Sequence, residues 1–290
     1  MKRLRRTMLF MPGNNPSMLQ NAGILGADSV ILDLEDAVSL TEKDSARVLV
    51  REAIKNIDYS NVEVVVRVNP FDTEYAEEDI NEIASVKPDT ILIPKATEEA
   101  VKKADEMITR IEKEKGYENG SIKLFALIES AYGVENVYNI IKASNRVEGV
   151  LLGGEDLTSD LGIKRTKEGR EIFYARNKVA MACRALKVDS IDTPFTDTND
   201  FIGLAKDTMN AKNIGFTGKA CINPRQIDTV HSVFAPTEEE IIHAKKVMEA
   251  KEKAEKEGKG VFSLNGKMVD APIINRARTT LELAKILGLL

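Results

Sequence analysis

At 290 residues, with 43% hydrophobic and 30% charged side chains, the chain is long enough to bury a sizeable core, and it lacks the bias of collagen-like, disordered or low-complexity sequences. Its 41 basic and 46 acidic residues leave a formal charge of −5, which offers no broad basic field to nucleic acid or anionic lipid and makes small-molecule chemistry the expectation. Two cysteines (Cys183, Cys221) and two histidines (His231, His243) argue against a disulfide framework and a His-rich zinc site, so a bound metal would be held by oxygen, which favours magnesium.

The opening Met-Lys-Arg-Leu-Arg-Arg has the charge of a signal n-region, but the apolar stretch Met8–Met11 is halted by Pro12-Gly13 and polar Asn14-Asn15. No run approaches the roughly 18 apolar residues of a membrane span, and a cytoplasmic enzyme is expected. Short β-type runs then alternate with longer helical patterns. Strands are predicted over Thr7–Met11, Ser29–Asp33, Val62–Val68, Thr90–Ile93, Ile122–Ile128, Val147–Leu152, Asp189–Phe195 and Phe216–Ile222, the last weakened by Gly218 and Lys219. Helices are predicted near Pro16–Leu25, Glu42–Asn56, Glu74–Ser85, Glu98–Lys115, Val134–Ala143, Arg170–Leu186 and Asp200–Asn213.

Eight such units are the signature of an α/β fold of the (β/α)8 TIM-barrel type. A doubly wound sheet is the alternative, weakened by the absence of a Gly-x-Gly-x-x-Gly turn or a Walker loop. After Phe234 the rhythm changes. Pro236-Thr237 before Glu238–Glu240 reads as a helix start, and Lys251–Lys259 as its solvated end. Gly258–Val269 suggests a hairpin around Asn265-Gly266, and Ala271–Leu287 a helix that Gly288 ends. Residues 1–235 are thus expected to form a catalytic barrel and 236–290 a C-terminal helical extension that serves as a lid.

Active sites of such barrels lie at the C-terminal mouths of the strands. Successive predicted strand ends give Pro12-Gly13, Glu35-Asp36, Arg67-Val68-Asn69-Pro70, Lys95, Glu129-Ser130, Gly154-Glu155-Asp156, Asp192-Thr193 and Asn223-Pro224. Glu129 and Asp156 close neighbouring strands, where two carboxylates repel unless a proton or cation sits between them; magnesium, which takes one or two protein carboxylates, resolves that repulsion. The competing structural reading has one acid capping a helix and the other paired with Lys95 or Arg67. Glu155 is disfavoured as a ligand because strand alternation would put it opposite Asp156. Arg67 suits a substrate carboxylate or a developing enolate, against a buried ion pair with Glu35 or Asp36. Those two acids either bind metal-bound water or form the turn before the next helix. Lys95 reads more economically as an electrostatic partner of the acids than as a Schiff-base nucleophile. Gly153-Gly154 either brings backbone amides, that of Gly154 included, to a substrate carboxylate or is an ordinary loop device. Cys183 and Met181 belong to an apolar helical stripe and are read as core, and neither cysteine is read as a nucleophile. Arg3, Arg5 and Arg6 either meet the phosphates of a large cofactor or form a solvated terminus.

Several segments together resemble the family of citrate lyase β-subunits and citryl-CoA lyases, within the wider HpcH/HpaI-type group of malyl-CoA lyases and metal-dependent aldolases. They are Leu9-Phe10-Met11-Pro12-Gly13-Asn14, Leu32-Asp33-Leu34-Glu35-Asp36-Ala37-Val38, Arg67-Val68-Asn69-Pro70, Ile128-Glu129-Ser130, Gly154 to Gly162, Asp189 to Pro194, and Gly218 to Ile227. The resemblance runs almost end to end. It implies a barrel, an Mg2+ site at Glu129 and Asp156, substrate binding by Arg67, and cleavage of a citryl thioester into an acetyl thioester and oxaloacetate. It further implies a substrate carried as a CoA or phosphopantetheine-type thioester, an acyl-carrier protein and an acyl-transferase subunit as partners, and a homo-oligomer, with a trimer as one arrangement. Asp270, in Gly266-Lys267-Met268-Val269-Asp270-Ala271-Pro272, resembles the family's lid aspartate and would transfer the proton, reaching the mouth of a neighbouring barrel; read from its neighbours alone, it is equally a helix N-cap. A malyl-CoA or methylmalyl-CoA lyase, a metal-assisted thioesterase and a noncatalytic scaffold for an acyl carrier are the alternatives.

Overall fold

The structure, a computed structural model, describes residues 3–256, 262–264 and 267–290. These form two compact units, residues 1–231 and 232–290.

In the first unit eight parallel strands close on themselves in sequence order: β1 (Thr7–Pro12), β2 (Ser29–Asp33), β3 (Glu63–Arg67), β4 (Thr90–Ile93), β5 (Lys123–Ile128), β6 (Val147–Leu152), β7 (Asp189–Asp192) and β8 (Gly218–Cys221). The predicted (β/α)8 barrel is therefore present. Helices α1 (Pro16–Asn21), α2 (Lys43–Asn56), α3 (Ala76–Ala84), α4 (Glu98–Lys115), α5 (Ala131–Lys142), α6 (Gly154–Asp160), α7 (Phe173–Leu186) and α8 (Phe201–Ile214) fall between the strands. Four of them start where a short polar side chain takes an otherwise orphaned amide. Asn15, Thr97, Ser130 and Asp200 accept from the backbone of Met18, Ala100, Gly133 and Gly203.

Inside the barrel, Met8, Ile31, Val65, Leu92, Phe125, Leu127, Leu151, Ile191 and Ala220 form one buried cluster. Side chains two apart on a strand share a face. One step of two towards the C-terminal mouth therefore leads from this cluster to Phe10, Asp33, Arg67, Glu129, Gly153, Thr193 and Ile222. Helices cover the outer faces, which is why β2 and β3 are buried along their whole length.

Strands β7 and β8 are shorter than predicted. Pro194 has no N–H to extend the β7 ladder. At the end of β8, the Gln226 side-chain oxygen takes the amides of Ile222 (2.9 Å) and Asn223 (3.3 Å), drawing the chain into the 3-10 turn Pro224–Gln226. Two helices escaped the sequence pattern, α6 and α9 (Ile227–Phe234), of seven and eight residues. Each spans only about two turns, too few to repeat an amphipathic period.

The second unit contains α10 (Glu238–Lys256), a two-stranded antiparallel hairpin of β9 (Phe262–Leu264) and β10 (Lys267–Val269), and α11 (Ala271–Ile286). Ala244, Val247, Val269 and Ala277 form its buried centre. The predicted turn Asn265-Gly266 and part of the predicted helix end Lys251–Lys259 lie outside the described residues. Gly288 ends α11 as predicted, with φ +69° and its amide on the Lys285 carbonyl.

Neither reading of the N-terminal arginines survives for Arg5, which is buried at the end of the barrel opposite the mouth. Its Nε and Nη2 grip both oxygens of Glu63 at 2.8 Å, Nη1 reaches Asp189 at 2.9 Å, and its Cζ lies 5.0 Å from the Phe125 ring centre. Burial alone would raise the Glu63 carboxyl, but the Arg5 hydrogen bonds outweigh it and hold that group below the usual range. Arg6 is clasped by Asp28 and Arg3 by Asp89. Arg5→Met should therefore destabilise the fold by about 3 kcal/mol, the low end for a broken buried ion pair, because Arg3 remains 3.2 Å from Glu63. Urea unfolding monitored by circular dichroism measures the loss.

Candidate active site

The residues reached by that step of two surround a cavity of about 380 Å3 at the barrel mouth, lined by Phe10, Asp33, Arg67, Glu129 and Thr193 together with Asp36, Gly154, Glu155 and Asp156. A larger cavity of about 680 Å3 lies at the opposite end around Arg3, Lys123 and Glu148. There Arg3 pairs with Asp89, Arg5 with Asp189 and Lys123 with Glu148. The smaller cavity is the one in which carboxylates remain under-satisfied.

Asp33, which the strand-end reading passed over, organises one side of the mouth. Its two oxygens clasp Arg67 Nε at 2.7 Å and Nη2 at 2.6 Å while also accepting the amides of Glu35 and Ala37. Arg67 Nη1 adds a hydrogen bond to Asp36 at 3.1 Å, and its Cζ lies 5.0 Å from the Phe10 ring centre. The ion pairs with Glu35 and Asp36 weighed for Arg67 are thus present, with Asp33 as the dominant partner. Burial lowers the guanidinium's pKa, but the Asp33 hydrogen bonds outweigh it and keep the charge fixed. Three of its five N–H groups are used, which leaves two.

Glu35 is buried, with Oε2 only 2.7 Å from Arg67 Nη1, yet that contact lacks hydrogen-bond alignment and the oxygen has no donor. Burial pushes its pKa up to about 7; Arg67 opposes the rise, while Asp36 and Asp33 add to it. Asp36 is exposed. Beneath this loop the buried Lys43 ammonium donates to the carbonyls of Leu34 (2.8 Å) and Glu35 (2.7 Å), tying the main chain down.

Across the mouth, Glu129 is 5% exposed and one of its oxygens accepts a 2.6 Å hydrogen bond from the Lys95 amide. Burial drives its carboxyl up to about 8; the charges of Glu35 and Asp156 add to the shift, and the Lys95 amide and Arg67 oppose it. Lys95 meets the acids in two ways. Its backbone, at φ +45°, meets Glu129, while its side chain is exposed and acts on the acids only at a distance.

Asp156 does not sit on a strand. Strand β6 stops at Leu152, so Glu155 and Asp156 both occupy the first turn of α6, both are exposed and both line the cavity. The alternation argument against Glu155 therefore does not apply. Gly154 also differs from expectation: its amide is already bonded to Thr193 Oγ1 at 2.9 Å, and that of Gly153 to the Ile128 carbonyl at 2.9 Å. The two glycines are required by space. A Cβ at Gly153 would lie 2.7 Å from Glu129 Cβ, and one at Gly154 would lie 2.8 Å from Thr193 Oγ1.

In the second unit, Asp270 is the N-cap of α11, its side chain accepting from the Ile273 amide at 3.4 Å with Pro272 in the first turn. Both cysteines are buried, and burial pushes their thiols well above the usual range, consistent with packing rather than nucleophilic use, whereas Met181, expected in the core beside Cys183, is exposed on the outer side of α7.

Asp33, Glu35 and Asp36 converge on the buried Arg67 guanidinium, and Glu129, Glu155 and Asp156 face the same cavity. Among the described residues no group of three or more His, Cys, Asp or Glu side chains could hold a metal. A cation here would take Glu129 and Asp156 from the protein and fill its other positions with water and substrate oxygens. Magnesium coordinates in that way, and the raised Glu129 carboxyl, buried beside the charges of Glu35 and Asp156, marks where a cation would relieve the cost of ionisation.

A closed parallel barrel whose mouth sets hard oxygen donors beside a fixed guanidinium can host metal-assisted chemistry on an anionic substrate. Residues 6–224 match the HpcH/HpaI aldolase/citrate lyase family, and the chain belongs to that family of carbon–carbon lyases. It is 47% identical over 284 residues to the citrate lyase subunit beta of Leuconostoc mesenteroides subsp. cremoris, covering 98% of this chain and 94% of that one. The CitE protein of Mycobacterium tuberculosis, solved in complex with magnesium, acetoacetate and coenzyme A, is 28% identical with a TM-score of 0.81 over 97% of this chain and 98% of that one. A citrate lyase beta subunit from M. tuberculosis complexed with oxaloacetate and magnesium is 28% identical with a TM-score of 0.67, over 80% and 98% of the two chains. No helix among the described residues is long and apolar enough to cross a membrane.

Because Glu35 and Glu129 keep their protons to higher pH in the folded chain than in the unfolded one, they favour folding below the ordinary carboxylate range, and that contribution is lost as pH rises through about 7 and 8. Without a divalent cation, the unfolding midpoint should fall between about pH 5 and pH 8, from the ordinary carboxylate range up to the raised values, and added Mg2+ should restore more at the alkaline end, since binding displaces the Glu129 proton. Scanning fluorimetry with and without Mg2+ tests this. Glu129→Gln should abolish the Mg2+-dependent recovery.

Proposed function

We propose that this chain is the citryl-thioester-cleaving subunit of a citrate lyase, splitting a citryl thioester into an acetyl thioester and oxaloacetate with Mg2+ as cofactor. The observation that carries the reading is the pairing of Glu129 and Asp156 on one side of the mouth with an Asp33-clamped Arg67 on the other.

Glu129 and Asp156 would hold the ion, and magnesium, when bound, supplies positive charge to the carboxylate and nascent keto oxygen of the oxaloacetate half. Cleavage removes the proton of the tertiary hydroxyl, turns that carbon into a ketone and leaves the departing electron pair as an enolate on the acetyl thioester, which is then protonated. Asp33 holds the Arg67 plane so that its two remaining N–H groups can meet negative charge on substrate oxygens. Asp36 and Glu35 set the edge of that donor, and the apolar wall of Phe10, Leu127 and Leu151 excludes water from the enolate. Asp270 is assigned the proton transfer, with residues 236–290 acting as a lid on the barrel of a neighbouring copy. Its cap hydrogen bond is long enough, at 3.4 Å, to be given up. The acyl group would arrive as a CoA or phosphopantetheine-type thioester on an acyl-carrier protein, in a cytoplasmic complex with an acyl-transferase subunit, and the chain itself would form a homo-oligomer.

The deciding experiment is a product assay of the purified chain with citryl, malyl and methylmalyl thioesters, with and without Mg2+. Oxaloacetate and acetyl thioester from the citryl substrate, only with Mg2+, are expected. Free acid and thiol without oxaloacetate would replace the reading with a thioesterase, and preferred turnover of the malyl substrates with a malyl-CoA lyase. Glu129→Gln and Asp156→Asn should each abolish turnover at low Mg2+. Arg67→Lys, which cannot reproduce the planar clasp, should cost about 2–4 kcal/mol in kcat/KM. Asp270→Asn should bind substrate but turn over poorly, and mixed oligomers of Asp270→Asn with Glu129→Gln chains should regain activity if the site is shared; full turnover by Asp270→Asn removes its proton-transfer role.

A further inference from the structure

On the outer face of the barrel, between β7, β8, α7 and α8, lie four charged side chains that the proposed reaction does not use. Asp192 ends β7, and Lys219 stands beside it on β8. Lys219 is completely buried, and its ammonium makes three hydrogen bonds: to Asp192 Oδ2 (2.6 Å), to Asp207 Oδ2 of α8 (2.6 Å) and to the carbonyl of Thr193 (2.7 Å). Arg176 of α7 completes the group, with Nε and Nη2 on Asp192 at 2.8 and 2.9 Å and Nη2 on Asp207 at 2.8 Å. Two cations face two anions, all within the protein.

Well-packed apolar residues would stabilise such a position as well as a buried ion network or better. The feature that apolar packing could not reproduce is the third Lys219 hydrogen bond, the one that leaves the network for a backbone carbonyl. It fixes the main chain at Thr193, just past the end of β7. The side chain of Thr193, one residue after outward-facing Asp192, points into the mouth, where Oγ1 accepts the Gly154 amide at 2.9 Å.

Gly153 and Gly154 are thereby wedged between two walls. On one side a Cβ at Gly153 would lie 2.9 Å from Glu129 Oε2; on the other a Cβ at Gly154 would lie 2.8 Å from Thr193 Oγ1 and 3.2 Å from Cγ2. The wedge leads directly into the first turn of α6, which carries Asp156. Where Thr193 stands decides how far that turn lies from Glu129. We propose that Thr193, its main chain fixed by Lys219, is a positioning residue that sets the spacing of the Glu129 and Asp156 carboxylates for a divalent cation, an inference that rests on the metal reading above.

The test is direct Mn2+ binding to the substrate-free full-length protein, followed by electron paramagnetic resonance of the free ion, alongside metal-free thermal unfolding. Wild-type protein should bind Mn2+ and Glu129→Gln should not; if wild type binds none, the metal reading itself fails. Thr193→Val keeps the branched shape but replaces the acceptor with a methyl group facing the Gly154 amide. It should weaken Mn2+ binding by about tenfold or more, in the range seen when a partner of a metal ligand is removed. Thr193→Ser keeps the acceptor and should bind within about twofold of wild type. Glu112→Gln, in the buried Arg146 network on α4, serves as a stability control: it should lower the unfolding midpoint and leave Mn2+ affinity unchanged. Wild-type Mn2+ affinity in Thr193→Val, or a loss in Thr193→Ser as large as in Thr193→Val, overturns the positioning role while leaving the metal site intact.

Discussion

Repulsion among carboxylates in a half-dry barrel mouth is the constraint on which the arrangement of this site depends. Asp33, Glu35 and Asp36 hold one guanidinium, Glu129 and Asp156 face the same cavity, and water is largely excluded from Glu35 and Glu129. Charge of one sign gathered in this way must be neutralised by protonation or by a cation. Burial first, with the neighbouring acids adding to it, raises the Glu35 and Glu129 carboxyls and so favours the first outcome in the protein alone. Asp33 is different because it is fully committed: four hydrogen bonds, two from Arg67 and two from backbone amides, occupy its oxygens.

Holding like charges together requires a frame that does not yield, and the frame lies behind the strands. Lys43 ties the Leu34 and Glu35 carbonyls, while Asp79, paired with Arg47, takes the backbone and side-chain amides of Asn69 just beyond β3. Lys219 does the same at Thr193. In each case a buried charge bonds to main chain immediately after a strand that supplies a mouth residue. These contacts fix loops that would otherwise relax away from one another under the repulsion. The Arg5, Glu63 and Asp189 group at the other end has no such neighbour to aim and serves to seal the barrel floor beneath Phe125.

The eight-strand rhythm was legible because the first six strands are short, largely apolar runs flanked by helical periodicity, which set the spacing for the mixed β7 and β8, and the acidic mouth was legible because Glu129 and Arg67 directly end or follow such runs. What the reading lacked was parity. Counting by two from Ile31 and Ile191 would have led to Asp33 and Thr193, but the inward face of a strand buried on both sides cannot be told from hydrophobicity alone. The misjudged alternation at Asp156 has a related cause: Gly153-Gly154 marks the end of β6, and beyond it the chain follows a helical period. Lys43 and Lys219 were hidden for another reason. A lysine on a helix or short strand reads as solvated surface, and only tertiary packing shows that its ammonium is enclosed and bonded to carbonyls and carboxylates.

The degree of satisfaction of each acid also decides which of the five is suited to a cation. A ligand must turn lone pairs to the ion, so an acid whose oxygens already accept several hydrogen bonds gives up those bonds when it binds. Asp33 would release Arg67 and unfasten the Glu35 loop, destroying the donor the reaction needs. Glu35 has an oxygen without a donor, but that oxygen lies 2.7 Å from Arg67 Nη1, where a second cation would be repelled. Glu129 accepts a single amide at one oxygen and presents the other beside Gly153, towards the turn that carries Asp156. Asp156, exposed at the cavity edge, has no protein bond to lose among those described. Of Asp33, Glu35, Glu129 and Asp156, hydrogen-bond accounting and electrostatics therefore favour the last two for the proposed cation, and the absence of a side chain at Gly153, where a Cβ would meet Glu129, leaves that carboxylate room.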